Sequence, residues 1–161
     1  MATKTIYKLD NERISSDSIV HEEKAGEYKN LKAILNEMKN QNVLWHDVWY
    51  MNGSQTANLS QKISEQQHGI VLVWQAYDNG SAKPWHYNFC FVPKWQALTN
   101  PGCGVSMWLT NDVGSQVASK YVYLYDNKIV GHVNNSTGAT NRGSGITVTN
   151  NHWVLTYVIG V

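Results

Sequence analysis

The chain has 161 residues, 16% of them charged and 11% aromatic, and a formal net charge of +1. That balance, with Arg142 the single arginine after Arg13, leaves no basic footprint for nucleic acid or an anionic membrane surface. The opening MATKTIYKLDNER lacks the apolar stretch of a signal peptide, and the longest apolar run, residues 70–74, is too short to span a bilayer, so a soluble protein made in a cytoplasm is expected.

Charge and aromaticity divide the chain. Residues 1–42 hold 14 of the 25 charged side chains and no Trp, whereas residues 43–161 hold all seven Trp. The first part reads as a charged, helix-prone stem. Within it, residues 4–9 alternate weakly, as a short strand would, and residues 17–40 turn helical in composition. Tyr28, Leu31, Leu35 and Met38, with Ile34 adjoining, have the spacing of a coiled-coil seam about two heptads long. Gly26 weakens this pattern by roughly 1 kcal/mol relative to Ala. So short a helix is marginal in water. Its narrow stripe is best covered by the same stripe on other copies; the alternative is a helix lying on its own β unit.

The remaining residues are long enough to bury their own core. Residues 43–66 serve as a neck or as the first head strands, and residues 67–161 as a β-barrel head. Residues 70–77 are continuously apolar, as in a strand covered on both faces, and end at the turn Asp78-Asn79-Gly80. Residues 87–92 are strand-like and stop at Pro93. Residues 105–109 form a further strand. Residues 121–125 and 129–133 flank a hairpin turn at 126–128, and residues 146–149 and 152–159 flank a second at Asn150-Asn151. Residues 134–145 read as a long exposed loop. Short strands with no helical period between them predict a mainly β fold, an antiparallel barrel or sandwich.

Little here suggests catalysis, and no enzyme is expected. No GxSxG elbow is present. Gly102-Cys103-Gly104 reads as a tight turn, and Cys90 and Cys103 as reduced thiols, with no Cys/His metal spacing; neither metal nor cofactor is expected. The β unit has five acids, Asp47, Glu65, Asp78, Asp112 and Asp126, and nothing in their spacing marks a glycosidase pair.

The aromatic residues are more informative. Sugar rings offer apolar faces on which Trp and Tyr stack, and hydroxyl edges that Asp, Asn, His and Arg bond. Trp74 and Trp153 lie in apolar strands and read as core. His68 and His152 read as solvated strand-edge residues. The candidate saccharide-binding residues are Trp45, His46, Asp47 and Trp49, then Trp85 and His86 beside Pro84 and Tyr87, then Trp108, then His132, Asn134, Asn135 and Arg142 around the polar loop.

Leu44-Trp45, Trp49-Tyr50-Met51, Leu59-Ser60, Lys62-Ile63-Ser64, Gly69-Ile70-Val71-Leu72-Val73-Trp74 and Tyr77 come in a distinctive order. After them come Phe91-Val92-Pro93-Lys94, Lys120-Tyr121, Tyr125-Asp126, Ile129-Val130-Gly131, Gly145-Ile146 and Tyr157-Val158-Ile159-Gly160-Val161. This series resembles the head of receptor-binding proteins, lower baseplate or tail-fibre components of siphophages that infect Gram-positive bacteria such as lactococci. The resemblance implies a homotrimer at the virion tail tip. Its stem would attach to the upper baseplate protein, and its heads would grip host cell-wall polysaccharide. The chain departs from the pattern in having no clear repetitive neck between stem and head.

Overall fold

The computed structural model describes residues 20–24, 27–30, 42–111, 116–141 and 147–161. The chain divides into two compact units, Met1–Gln41 and Asn42–Val161. In the first, β1 (Val20–Lys24) and β2 (Glu27–Asn30) pair as an antiparallel ribbon. This corrects the helix expected through these residues. Tyr28 lies on β2 opposite Glu22, so it takes no part in a helical seam. Gly26, the weak point of the helical pattern, falls between the two strands in sequence. Leu31, Ile34, Leu35 and Met38 lie outside the described residues, as does the strand expected over 4–9.

The second unit is mainly β. It runs β3 (Val43–Trp49), β4 (Thr56–Asn58), β5 (Gly69–Asp78), β6 (Ser81–Ala82) and β7 (Asn88–Pro93), then a short helix α1 (Lys94–Thr99). It continues with β8 (Gly104–Thr110), β9 (Gln116–Tyr125), β10 (Lys128–Val130), β11 (Ala139–Asn141), β12 (Thr147–Thr149) and β13 (Trp153–Gly160). Helix α1 spans six residues, too few to carry the periodicity by which a helix is read from sequence. Among the described residues no helix is long and apolar enough to cross a membrane.

The strands form two curled, largely antiparallel sheets. One orders β3-β13-β5, with β7 and β6 along the far edge of β5. The other orders β11-β12-β9-β10-β4, with β8 on the opposite edge of β9. Residues 43–66 therefore belong to the sheets: β3 pairs with β13 and β4 with β10. Leu44, Leu72, Trp74 and Leu155 from the first sheet meet Met107, Leu109, Val122, Leu124 and Ile129 from the second in one core. Trp74 and Trp153 are both buried, as their apolar strands predict. The turn after β5 has Asn79 at φ 50° and Gly80 at φ 77°, the left-handed pair that such a hairpin demands. Asp126 and Asn127 close the hairpin from β9 to β10.

The second expected hairpin does not form. β12 pairs with β9 and β11, whereas β13 sits between β3 and β5 in the other sheet. Residues 150–152 are a 3-10 turn that crosses between the sheets. The reason lies in Asn150, whose side chain turns inward instead of capping a solvent-facing turn. The loop expected over 134–145 is also more structured than its composition implies. Val133–Ser136 is a 3-10 turn, and β11 pairs with β12.

Both departures trace to a gap in the sheet. Along one edge of β9, β12 covers Gln116 and Val117 and β10 covers Tyr123 to Tyr125, with no strand between them among the described residues. Two asparagine amides fill the space. Asn150 Oδ1 accepts from Ser119 N at 2.8 Å. Asn135 Oδ1 accepts from Tyr121 N at 2.9 Å, and its Nδ2 donates to Tyr121 O at 2.8 Å and to Met51 O at 2.7 Å. Gly131 permits the close approach, since a Cβ there would stand 2.1 Å from Met51 O.

Between these residues Lys120 turns into the core and is fully buried. Its ammonium donates to the carbonyls of Asn135, Asn150 and Trp153, each at 2.7 Å, with Tyr50 O at 3.4 Å. It also lies 5.1 Å from the centroid of the Trp74 ring. An ammonium has three donors, and three short bonds use them all. Burial pushes the group well below its ordinary 10.5, because desolvation opposes the charged form.

Lys120→Met keeps the apolar stem but removes three short bonds to buried carbonyls, of which Asn150 O also accepts from Trp153 N. Each such loss costs about 1–3 kcal/mol, so urea unfolding should show a total loss of at least about 3 kcal/mol. Unchanged or raised stability would mean that desolvating the charge outweighs its bonds. The sign of the pH effect comes from linkage. The folded chain holds this proton less tightly than the unfolded chain, so its stability rises relative to Lys120→Met as pH climbs through the folded value toward 10.5.

Candidate functional site

The apolar run of β5 ends at Asp78, and the Asn79-Gly80 turn sends the chain back as β6. Lys83 N then donates to Ala76 O at 2.8 Å, which holds the Pro84-Trp85-His86 loop beside the end of β5. His86 takes a left-handed conformation, φ 53°, and its ring lies 6.3 Å from that of Trp153. The junction of β8 and β9 supplies Asn111 and Gln116, which are tied backbone to backbone and by Asn111 Oδ1 accepting from Gln116 N at 3.3 Å. His152 Nδ1 meets Gln116 Oε1 at 3.4 Å.

These elements enclose an open cleft of about 240 Å³, lined by Ala76, Tyr77, Asp78, Trp85, His86, Asn111, Gln116, His152 and Trp153. Its size suits a single small ring better than a drug-sized molecule, whose pockets run from about 300 Å³ upward. The polar groups are varied: one carboxylate, two carboxamides and two imidazoles. Trp85 is 50% exposed, so one indole is free to stack. At the floor, the buried indole N–H of Trp153 has no hydrogen-bond partner among the described residues.

A second hollow, about 300 Å³, lies on the outer face of β9 and is lined by Ser119, Tyr121, Tyr123, His132, Asn134 and Asn150. Tyr121 and His132 meet edge to face at 5.2 Å, and Tyr121 and Tyr123 do so at 5.2 Å. Its amide is already engaged: Asn150 Nδ2 donates to Asn134 O at 2.7 Å and to Thr137 Oγ1 at 3.3 Å. Among the described residues no Trp lines it.

The residues singled out from sequence are thus dispersed. Trp85 and His86 line the cleft, and His132 and Asn134 line the hollow. Asn135 is not at a surface; it is fully buried and completes the gap in the sheet. Trp45 and Trp49 pack edge to face at 5.2 Å against the core from β3. On the same strand His46 lies 4.2 Å from the Tyr157 ring, and Asp47 accepts from Val48 N at 2.7 Å. Trp108 projects from the outer face of β8. Arg142 lies outside the described residues. Seven of the nine lining residues, Asp78, Asn111, Gln116 and His152 among them, lie outside the site candidates read from sequence. Asp78 reads as a turn residue and His152 as a solvated edge, because their convergence depends on pairing between distant strands.

Among the described residues no group of three His, Cys, Asp or Glu side chains could hold a metal ion. Cys90 and Cys103 are free, and burial pushes the Cys90 thiol up. Asp126 binds Ser64 N at 2.8 Å and Ser64 Oγ at 2.9 Å, which gives it a structural place. Comparison with protein-family models, with curated proteins and with solved structures gives no match.

The burial contrast between the two cleft tryptophans is testable by urea unfolding. Trp153→Ala should cost about 3–5 kcal/mol through the cavity it leaves. Trp85→Ala should stay within about 0.5 kcal/mol of wild type, as surface changes do.

Proposed function

We propose that this protein is a phage receptor-binding protein that recognises saccharides on the host cell wall, and that the Trp85 cleft is its binding site. The observation that carries the reading is an exposed indole beside a small cleft with a carboxylate, two carboxamides and two imidazoles. A pyranose needs one flat apolar partner for its C–H face and several fixed donors and acceptors for its hydroxyls. The cleft offers both. The sequence resemblance to siphophage head proteins supports the same class of ligand.

In this reading the protein acts by binding and not by cleavage. Glycoside hydrolysis takes two opposed carboxyl groups, and Asp78 is the single carboxylate among the described residues lining the cleft. The N-terminal unit would join the chain to the upper baseplate of the tail and, through Leu31, Ile34, Leu35 and Met38, bring three copies together. A cleft this small binds weakly by itself, and three heads on one stem raise avidity by orders of magnitude.

A second reading, a structural baseplate or tail-fibre component whose head contacts protein, is favoured by exposed aromatic side chains along β7. The two readings separate in titrations with purified wall polysaccharide from lactococci, streptococci and their relatives. Binding is expected, with Trp85→Ala and Asp78→Asn each weakening it at least tenfold while the unfolding midpoint holds. Failure to bind the wall saccharide of any strain tested would remove the saccharide reading. Release of reducing ends would replace it with a depolymerase.

A further inference from the structure

We infer that Asn79 is a modification site, where the side-chain amide is lost spontaneously to a carboxylate at the lip of the cleft. Asparagine followed by glycine is the pair most open to this reaction, because glycine has no side chain to hinder approach to its backbone nitrogen. The pair occurs twice in the chain, at Asn52-Gly53 and Asn79-Gly80, and serine follows both times. The two tripeptides have the same local chemistry, so the fold decides between them. In the reaction Gly80 N gives its proton to solvent and attacks Cγ of Asn79. The N–Cγ bond forms, the Cγ–Nδ2 bond breaks, and the amide nitrogen leaves as ammonia. Water then opens the ring at Cγ, which restores the chain with aspartate. Opening at the backbone carbonyl instead leaves isoaspartate and lengthens the backbone by one methylene. No electrons are exchanged, and water is the co-reactant.

The fold protects Asn52 and leaves Asn79 open. Asn52 Oδ1 accepts from Ser54 N at 3.0 Å and from Ser54 Oγ at 2.8 Å, and Asn52 N donates to Gln55 Oε1 at 2.9 Å. Gln55 N donates back to Asn52 O at 3.0 Å, and Gly131 N donates to Gln55 O at 2.9 Å. The turn follows the fully buried Met51. Ring closure at Asn52 therefore has to break a bonded turn tied to the sheet. Asn79 is exposed, and among the described residues its amide makes one bond, Nδ2 donating to Asp78 Oδ2 at 3.0 Å. Gly80 stands in open space, with nothing within 4 Å of where a Cβ would be. Ring closure requires Asn79 to leave its left-handed turn conformation, so the ease of local opening sets the rate. That opening is cheap here, because β6 is two residues long and pairs only Ala82 with Tyr77 and Ser81 with Asp78. The product alters the cleft. Asp78 lines it, and the bond from Asn79 Nδ2 to Asp78 Oδ2 goes with the amide. A second carboxylate then stands beside the first.

The modification stands on the turn, and only its effect on a ligand rests on the saccharide reading. The full chain is incubated at neutral pH and physiological temperature, folded and in concentrated urea, and peptide mass spectrometry follows the amides of Asn52 and Asn79. In the folded chain Asn79 should convert at least about tenfold faster than Asn52, and in urea the two rates should draw together. An Asn79 amide that lasts as long as that of Asn52 in the folded chain overturns the proposal. So does a preference of the same size in urea, which would assign the difference to sequence and not to the fold. Asn79→Asp, which reproduces one product, should weaken binding of wall polysaccharide by about twofold to fivefold, the size of an exposed charge interaction. Near-ultraviolet circular dichroism from the buried Trp74 and Trp153 checks that this variant is folded. Unchanged binding by it overturns the link to the cleft. A chain that loses the Asn79 amide yet binds no wall saccharide removes the saccharide reading alone. A chain that binds saccharide and keeps the amide removes this inference alone.

Discussion

The β unit depends on one buried ammonium. Lys120 reaches from the middle of β9 to the carbonyls of Asn135, Asn150 and Trp153. Those carbonyls belong to the turn after β10, to the crossing between the sheets and to the start of β13. A single side chain thereby fixes three segments that are far apart in sequence. Carbonyl acceptors clustered in a low-dielectric core need donors, and a lysine meets three at once where neutral side chains would need more room. Asn135 and Asn150 complete the arrangement by bonding β9 where a neighbouring strand is missing.

The candidate site inherits its geometry from this hub. Trp153 forms the floor of the cleft, and its carbonyl is one of the groups that Lys120 holds. His152 sits in the crossing whose first residue, Asn150, is held in the same way. The opposite wall comes from the β5 turn and from the junction of β8 and β9, both of which are paired strand ends. The polar groups of the cleft are thus borne by anchored elements, the condition under which a weak ligand is bound with little ordering cost. Trp85, in the loop before β7, lines the cleft and stays half exposed.

The fold was legible wherever the signal was local. The apolar run that became β5, the Asn79-Gly80 turn, the hairpin at Asp126-Asn127 and the core placement of Trp74 and Trp153 each rest on neighbouring residues whose chemistry admits one outcome. Misreadings arose where a residue's local preference was overridden by distant partners. Asn150-Asn151 has turn composition, yet the Asn150 side chain is engaged inside the protein. Asn135 looks solvent-facing within a polar stretch, yet it is fully buried because it supplies three hydrogen bonds to β9 and Met51. Val20–Lys24 and Glu27–Asn30 carry helix-forming residues and nonetheless pair as strands.

Sequence by itself determined that the β unit would be a mainly β body rich in tryptophan, and where several of its strands and turns would fall. Alternation, apolar runs and left-handed turn residues act over a few positions, so they can be read without coordinates. Tertiary structure alone decided which polar residues converge. Asp78, Trp85, Asn111, Gln116 and His152 share a cleft only because β5, β8, β9 and β13 are brought to one end of the two sheets. It also decided that Lys120, an ordinary surface residue by composition, would lie at the centre, because only the assembled strands bring the carbonyls of Asn135, Asn150 and Trp153 together for it to bind.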